Sequence, residues 1–212
     1  MPPLPPVTKL LMLLCTAVFC VQLLMPIDIW LALWPVQSGQ FWPWQPLTYA
    51  FLHDKYNWLH LAFNMLGLWM FGGELERLWG DKRYIQFLLA SVLSAAGVQL
   101  LVTFVTGSNI PTIGASGAVF GLLLAYGMLC PNRIIMPLFP PIPMKARTFV
   151  ILFGVGELVL GATGWQPGVA HFAHLGGMLF GWLLIRYWRG QPPFKPRPPG
   201  PPKRPNHLRS IK

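Results

Sequence analysis

The sequence predicts an all-α membrane protein with six spanning helices, and both its composition and its apolar runs support this fold class. Of the 212 residues, 54% are hydrophobic and only 10% are charged, whereas a soluble domain carries about a quarter charged residues. Runs such as Leu10–Met25, Tyr84–Thr106 and Ile113–Cys130 approach the roughly 20 apolar residues that span a bilayer. Helices are expected because lipid offers no hydrogen-bond partner to an open sheet edge.

Hydropathy and helix-breaking residues divide the chain into six apolar segments. The predicted helices are residues 9–26, 58–74, 84–106, 113–130, 147–163 and 168–188. The first segment is interpreted as a retained span, because no convincing small-x-small cleavage site precedes Met25.

Two regions outside these segments have a different composition. Residues 28–57 are rich in Trp, Pro and Phe, and their prolines interrupt any spanning helix, so we expect this insert to lie in the outer membrane interface. Residues 189–212 are proline-rich and basic, which predicts a disordered cytoplasmic tail. The predicted organisation is therefore a six-span domain at 1–188, followed by the tail.

The lysines and arginines predict the orientation of the chain. With alternating spans, Lys55 alone falls on one side, so 15 of the 16 basic residues (16 − 1) lie on the other. The positive-inside rule then places both termini in the cytoplasm. The net charge of +10 is explained by this topology and by attraction to anionic lipid, so no nucleic-acid partner is implied.

Several polar side chains lie inside the apolar segments, where ionisable groups are costly and are by default functional. They are His60, Asn64, Ser116, Glu157, His171 and His174. The second, fourth and sixth spans all run from outside to inside. At about 1.5 Å per residue, His60, Ser116 and His174 all lie within roughly 10 Å of the outer helix ends. Their similar depth predicts that they meet.

Glycines in the fourth and sixth segments support this prediction. Gly117 and Gly121, and likewise Gly177 and Gly181, have the small-xxx-small spacing that brings two helix backbones close together. Close backbones would let the Ser116 hydroxyl reach a histidine on the neighbouring helix, and such a pair is the minimal activated nucleophile.

The remaining polar residues suggest accompanying roles. His60 and Asn64 are spaced i, i+4 on one helix face. With the free N–H groups at the start of the Ser116 helix, they would supply oxyanion donors. We assign the base to His174, because His171 is expected nearer the outer surface, where water would solvate it.

Each residue also has a structural interpretation that the sequence leaves open. Ser116 alone fits a small packing residue, and His60 with Asn64 fits an interhelical hydrogen-bond clamp. His171 is interpreted as an interfacial histidine. Glu157 fits a capped or paired structural carboxylate, for which no partner at its depth is evident.

Four motifs occur in an order that resembles the rhomboid family of intramembrane serine proteases. The second segment holds H-x-x-x-N at His60 and Asn64, followed by G-G-x-x-E, which ends at Glu76. Residues 114–117 match G-x-S-G, and residues 173–181 match A-H-x-x-G-x-x-x-G. The resemblance covers about residues 40–185.

The resemblance implies a six-helix rhomboid-type catalytic domain whose cavity opens to the extracytoplasmic side. It implies a dyad of Ser116 as nucleophile and His174 as general base, with His60, Asn64 and the Ser116 N–H as the oxyanion hole. Substrates would be membrane proteins, cut near the outer end of a transmembrane helix. No metal or small cofactor is expected.

Two positions depart from the family pattern. Phe120 stands where a tyrosine is common, so its ring can stack on His174 but offers no hydroxyl. Gln45 follows Trp44 where the family often has arginine, which questions the anchoring of the first loop.

Two functions other than proteolysis are possible for a chain of this kind. An inactive rhomboid-like escort factor for membrane proteins would normally lack Ser116 or His174, and this chain has both. A small transporter would need charged pairs across midplane spans or internal repeats, which are not found. The absence of a long Arg- and Ser-rich presequence favours a bacterial or archaeal plasma membrane.

Overall fold

The computed structural model describes residues 3–138, 141–165 and 169–194, and helices dominate these ranges. The helices are α1 (Pro6–Leu24), α2 (Asp28–Leu31), α3 (Gln45–Thr48), α4 (Trp58–Gly67), α5 (Gly73–Trp79), α6 (Asp81–Thr106), α7 (Ser116–Leu129), α8 (Ala146–Thr163) and α9 (His171–Arg189). A π-helical turn, Leu68–Gly72, joins α4 to α5. The strands β1 (Ile134–Ile135) and β2 (Met144–Lys145) form a short antiparallel hairpin.

Each of the six predicted segments contains a helix, and the helix boundaries differ from the prediction by up to five residues. The second segment continues to Trp79 through the π-helical turn. The fourth helix begins at Ser116 rather than at 113, because Gly114 has a positive φ of +122° that no helix accommodates. The sixth begins at His171 rather than at 168.

Three helices of the described chain are long and apolar enough to cross a membrane. They are α1, α6 and α8, and α7 is a shorter apolar helix. The crossing of all six segments therefore remains a prediction.

Helix α9 packs against both α6 and α7, and glycines make these contacts close. A Cβ atom on Gly177 would overlap the carbonyl oxygen of Gly117, and one on Gly176 would meet Val98 at 2.9 Å. The Ser94 hydroxyl of α6 donates a hydrogen bond to the Gly176 carbonyl (2.7 Å). The small-xxx-small prediction for α7 and α9 is confirmed, and α6 joins the same contact.

The insert at 28–57 is folded and anchored. The Gln45 side chain is fully buried and accepts a hydrogen bond from the Trp34 N–H (3.2 Å) while it donates to the Gln40 carbonyl (3.0 Å). Leu33 and Thr112 exchange two backbone hydrogen bonds, which tie the insert to the segment before α7. Glutamine thus anchors this loop without an arginine, and the position of the loop in the membrane interface remains a prediction.

Buried Glu76, the last residue of the G-G-x-x-E motif, fastens the start of α1 to α5. Its carboxylate accepts hydrogen bonds from the Val7 N–H (2.9 Å), the Thr8 N–H (2.7 Å) and the Thr8 hydroxyl (2.6 Å). The first N–H groups of a helix have no intrahelical acceptor, so Glu76 caps α1 from another helix. The tail prediction for 189–212 lies largely outside the described residues, which end at 194.

The Glu76 contacts predict a large stability loss for Glu76→Ala. The substitution leaves buried donors at the start of α1 unsatisfied, at a cost of about 1–3 kcal/mol for each such group. Thermal unfolding in detergent should show a clearly lower Tm. Glu74→Gln is the matched control, because it removes only a half-exposed ion pair with Arg133, worth about 0–1 kcal/mol, and keeps an acceptor oxygen for the Tyr126 hydroxyl. Equal Tm values for the two variants would contradict the capping role.

Candidate active site

Ser116 and His174 meet where α7 and α9 begin. Ser116 is the first residue of α7, and His174 is the fourth residue of α9. The Ser116 Oγ and the His174 Nε2 lie 2.8 Å apart, which is hydrogen-bonding distance. The predicted contact between Ser116 and His174 is thus found in the structure. It depends on the close packing of Gly117, the residue after Ser116, against Gly177, which lies about one turn beyond His174.

The ring of Phe120 fixes the plane of the His174 imidazole. The two rings stack with their centroids 4.3 Å apart and their planes 6° from parallel. The expected stacking is confirmed. Since phenylalanine carries no hydroxyl, this side chain orients His174 by packing alone.

His60 presents a ring nitrogen to the serine. Its Nδ1 accepts a hydrogen bond from the Asp54 N–H (3.3 Å), so Nε2 carries the proton in the neutral ring. A Cβ on Gly114 would lie 2.7 Å from this Nε2 and 3.6 Å from the Ser116 Oγ. Gly114 therefore leaves open a space between the His60 Nε2–H and Ser116, which any larger residue would fill.

Asn64 lies one turn below His60 and is buried. Its Nδ2 donates one hydrogen bond to the His60 carbonyl (2.8 Å), and the second amide proton remains for another acceptor. The Asn64 side chain bonds within α4, and the His60 side chain bonds to Asp54 in the preceding loop. Within the described residues they form no clamp to a second spanning helix.

His53, which the sequence analysis did not select, packs beside His60. The two ring centroids are 5.2 Å apart, and the His53 side chain is fully buried in the loop before α4. Burial lowers the pKa of His53 to about 4, with a smaller contribution from His60. His53 is therefore neutral near pH 7 and places no positive charge beside His60. Its position in a loop outside the apolar segments gave no sequence signal.

Glu157 of α8 joins His174 and His171. Its Oε2 lies 2.7 Å from the Nδ1 of each histidine. His171 is only 4% exposed, so the expectation of a solvated interfacial histidine is wrong. The view that Glu157 has no partner at its depth is also wrong, because α8 packs on α9 and faces the side that carries both histidines.

These three residues also form the kind of group that can hold a metal ion. Their possible ligand atoms lie within 4.8 Å of one another, and two histidines with one glutamate make a known zinc ligand set. Ligands about 2.0–2.1 Å from a tetrahedral zinc ion are roughly 3.3 Å apart. The observed 2.7 Å separations instead match charge-assisted N–H···O hydrogen bonds. The three side chains are therefore arranged for hydrogen bonds from the two histidines to Glu157 rather than for binding a metal ion.

Ser116 lines a cavity of about 950 Å³. Its lining includes His60 and Asn64 on one side, and Ser116 and His174 on the other. Most of the remaining lining is apolar, and it comes from helices α4, α6, α7 and α8 together with the segments between helices. The site is therefore a hydrogen-bonded serine–histidine pair at the wall of a largely apolar cavity.

Comparison with known proteins identifies the family. Residues 39–190 match the family model of the Rhomboid domain. The chain is 31% identical to the rhomboid protease GlpG of Yersinia pestis over 195 residues, which are 86% of this chain and 62% of that protein. It is 38% identical over 141 residues to the RHOMBOID-like protein 4 of Arabidopsis thaliana, which are 66% of this chain and 33% of that protein.

The chain belongs to the rhomboid family and is an integral membrane protein. It spans about 62% of the length of the Yersinia relatives.

The contact between α7 and α9 predicts that Gly177→Ala destabilises the protein. The new methyl group would overlap the Gly117 carbonyl oxygen, which is backbone and cannot rotate away. Overpacking of this kind costs about 1–3 kcal/mol, so Tm in detergent should fall. Gly97→Ala on α6 is the control, because a Cβ there meets open space and alanine favours the helix. An unchanged Tm for Gly177→Ala would show that the two helices are not held at this distance.

Proposed function

We propose that the protein is an intramembrane serine protease that cleaves transmembrane helices of membrane proteins near their extracytoplasmic end. The observation that carries this proposal is the 2.8 Å approach of the Ser116 Oγ to the His174 Nε2 inside the cavity. Its membership of the rhomboid family and its likeness to proteins named rhomboid proteases support the same activity.

The dyad would act in two steps. As the Ser116 Oγ attacks the scissile carbonyl carbon, its proton passes to the His174 Nε2 and the carbonyl oxygen becomes an oxyanion. The tetrahedral intermediate collapses, the C–N bond breaks, and His174 gives its proton to the leaving amine. Water then attacks the acyl-enzyme with His174 as base, which releases the second product and restores the serine.

The oxyanion would form in front of His60. The Nε2–H of His60, the free amide proton of Asn64 and the Ser116 backbone N–H are the available donors. The hydrogen bond from Asp54 to the His60 Nδ1 selects the tautomer that donates from Nε2. Preorganised donors of this kind stabilise charge that develops only in the reaction.

The location of the site follows from the predicted topology. With both termini in the cytoplasm, the starts of α4, α7 and α9 lie near the extracytoplasmic face, in a bacterial or archaeal plasma membrane. The insert at 28–57 would then lie in the outer interface beside the cavity. A substrate helix would unwind locally to present an extended peptide bond to Ser116, and the apolar lining suits its side chains.

The test of the proposal is cleavage of a single-span substrate in proteoliposomes by the wild type and by Ser116→Ala. Loss of the nucleophile should reduce the rate by at least about 10³-fold without changing Tm. Ser91→Ala is the matched control, since the Ser91 hydroxyl is buried on α6 and has no hydrogen-bond partner among the described residues. It should keep the wild-type rate.

Two results would contradict the proposal. Cleavage by Ser116→Ala at the wild-type rate would exclude Ser116 as nucleophile. A folded wild type that binds membrane proteins, but neither cleaves them nor reacts with a fluorophosphonate, would support the escort function instead.

A further inference from the structure

The Glu157 carboxylate is shared by two histidines of one helix. His171 and His174 are three residues apart on α9, and both direct Nδ1 to the same oxygen, Oε2, at 2.7 Å. The side chain of Glu157 is 12% exposed. A carboxylate at such a site requires donors that replace water, and the two imidazoles supply them.

The contacts fix the tautomer of His174. A carboxylate oxygen only accepts hydrogen bonds, so each Nδ1 that it contacts carries a proton. A neutral His174 protonated at Nδ1 has its lone pair on Nε2, the atom that lies 2.8 Å from the Ser116 Oγ. Glu157 thereby selects the form of His174 that can accept the serine proton.

His171 has a different environment from His174. Its Nε2 is buried and has no partner among the described residues, so this histidine contacts no reacting group. Among the described residues, the one polar contact of its side chain is the hydrogen bond to Glu157. That bond holds Oε2 beside His174.

We propose that Glu157 is a positioning residue for the proteolytic reaction, and that His171 holds its carboxylate against His174. The inference rests on the proposed function, and it extends the predicted dyad to the series Ser116, His174, Glu157 and His171.

Glu157 would keep its hydrogen bond to His174 before and after the proton transfer. When the Ser116 proton moves to the His174 Nε2, the ring becomes an imidazolium whose Nδ1–H already faces the Glu157 carboxylate. Glu157 accepts this hydrogen bond throughout and takes no proton. The attraction between imidazolium and carboxylate is strongest after proton transfer, so it favours the transition state over the resting enzyme.

The kinetic test compares Glu157→Gln with the wild type in proteoliposomes. The glutamine has the same shape but no charge, and its carbonyl oxygen can take the place of Oε2 and keep both hydrogen bonds, so this variant removes only the charge that stabilises the imidazolium. We expect kcat to fall by about 10²-fold or more, with little change in KM, since Glu157 does not line the cavity. Glu74→Gln is the matched control, because Glu74 contacts Arg133 and Tyr126 near the end of α7 opposite Ser116, and it should leave kcat unchanged.

His171 is tested by two substitutions of similar shape. His171→Asn keeps an N–H donor near the position of Nδ1, whereas His171→Leu has none. The asparagine variant should retain most of the activity, and the leucine variant should lose about tenfold, a loss typical of partners that orient a reactive group. Equal losses in the two would show that His171 contributes only packing.

A spectroscopic measurement separates this inference from the proposed function. In the inactive Ser116→Ala protein labelled with 15N-histidine, proton NMR should show two strongly deshielded Nδ1–H signals, and both should disappear when Glu157→Leu, which has no acceptor, is added. Their absence before that substitution would overturn the hydrogen-bond arrangement whether or not the protein is a protease. If both signals are present and the wild type cleaves, but neither Glu157→Gln nor Glu157→Leu lowers kcat, the positioning role is wrong while the protease function stands. If the wild type does not cleave, both proposals fail.

Discussion

The contact between the backbones of α7 and α9 is the constraint on which the site depends. In lipid, helices gain nothing from burying apolar surface against each other, so association relies on close packing and hydrogen bonds. Gly177 lies so close to the Gly117 carbonyl that no Cβ fits between them. This distance lets the short side chain of Ser116 reach His174. Glycine is required here for space, whereas Gly114 also needs its positive φ of +122°.

Glu76 and Glu157 both carry carboxylates that are shielded from water and need hydrogen-bond donors, but the donors serve a structural role at Glu76 and a proposed catalytic role at Glu157. Glu76 and Glu157 both lie inside the helical protein, and each is held by N–H or O–H donors from other elements. Glu76 receives backbone donors at the start of α1, and its role is to fix one helix on another. Glu157 receives imidazole donors, which can change protonation, so the same kind of contact can act in catalysis.

The sequence could predict Ser116, His174 and His60 because apolar segments make polar residues conspicuous and the rise of a helix converts position into depth. It could also predict the α7–α9 contact, since glycine spacing determines how closely backbones approach. It could not pair Glu157 with His171 and His174, because the rotation of α8 against α9 is set by packing and not by any local pattern. His53 and the anchoring of Gln45 were missed for a related reason, as both depend on contacts of an irregular loop. The start of α7 was placed too early because hydropathy does not register the backbone conformation of Gly114.

The structure of the enzyme after reaction with a fluorophosphonate would test the central claim most directly. The account predicts phosphorus bonded to the Ser116 Oγ, with the phosphoryl oxygen about 3 Å from the His60 Nε2 and the Asn64 Nδ2. It also predicts that Gly117 and Gly177 remain in contact. An adduct on another residue, or a phosphoryl oxygen directed away from His60 and Asn64, would contradict it.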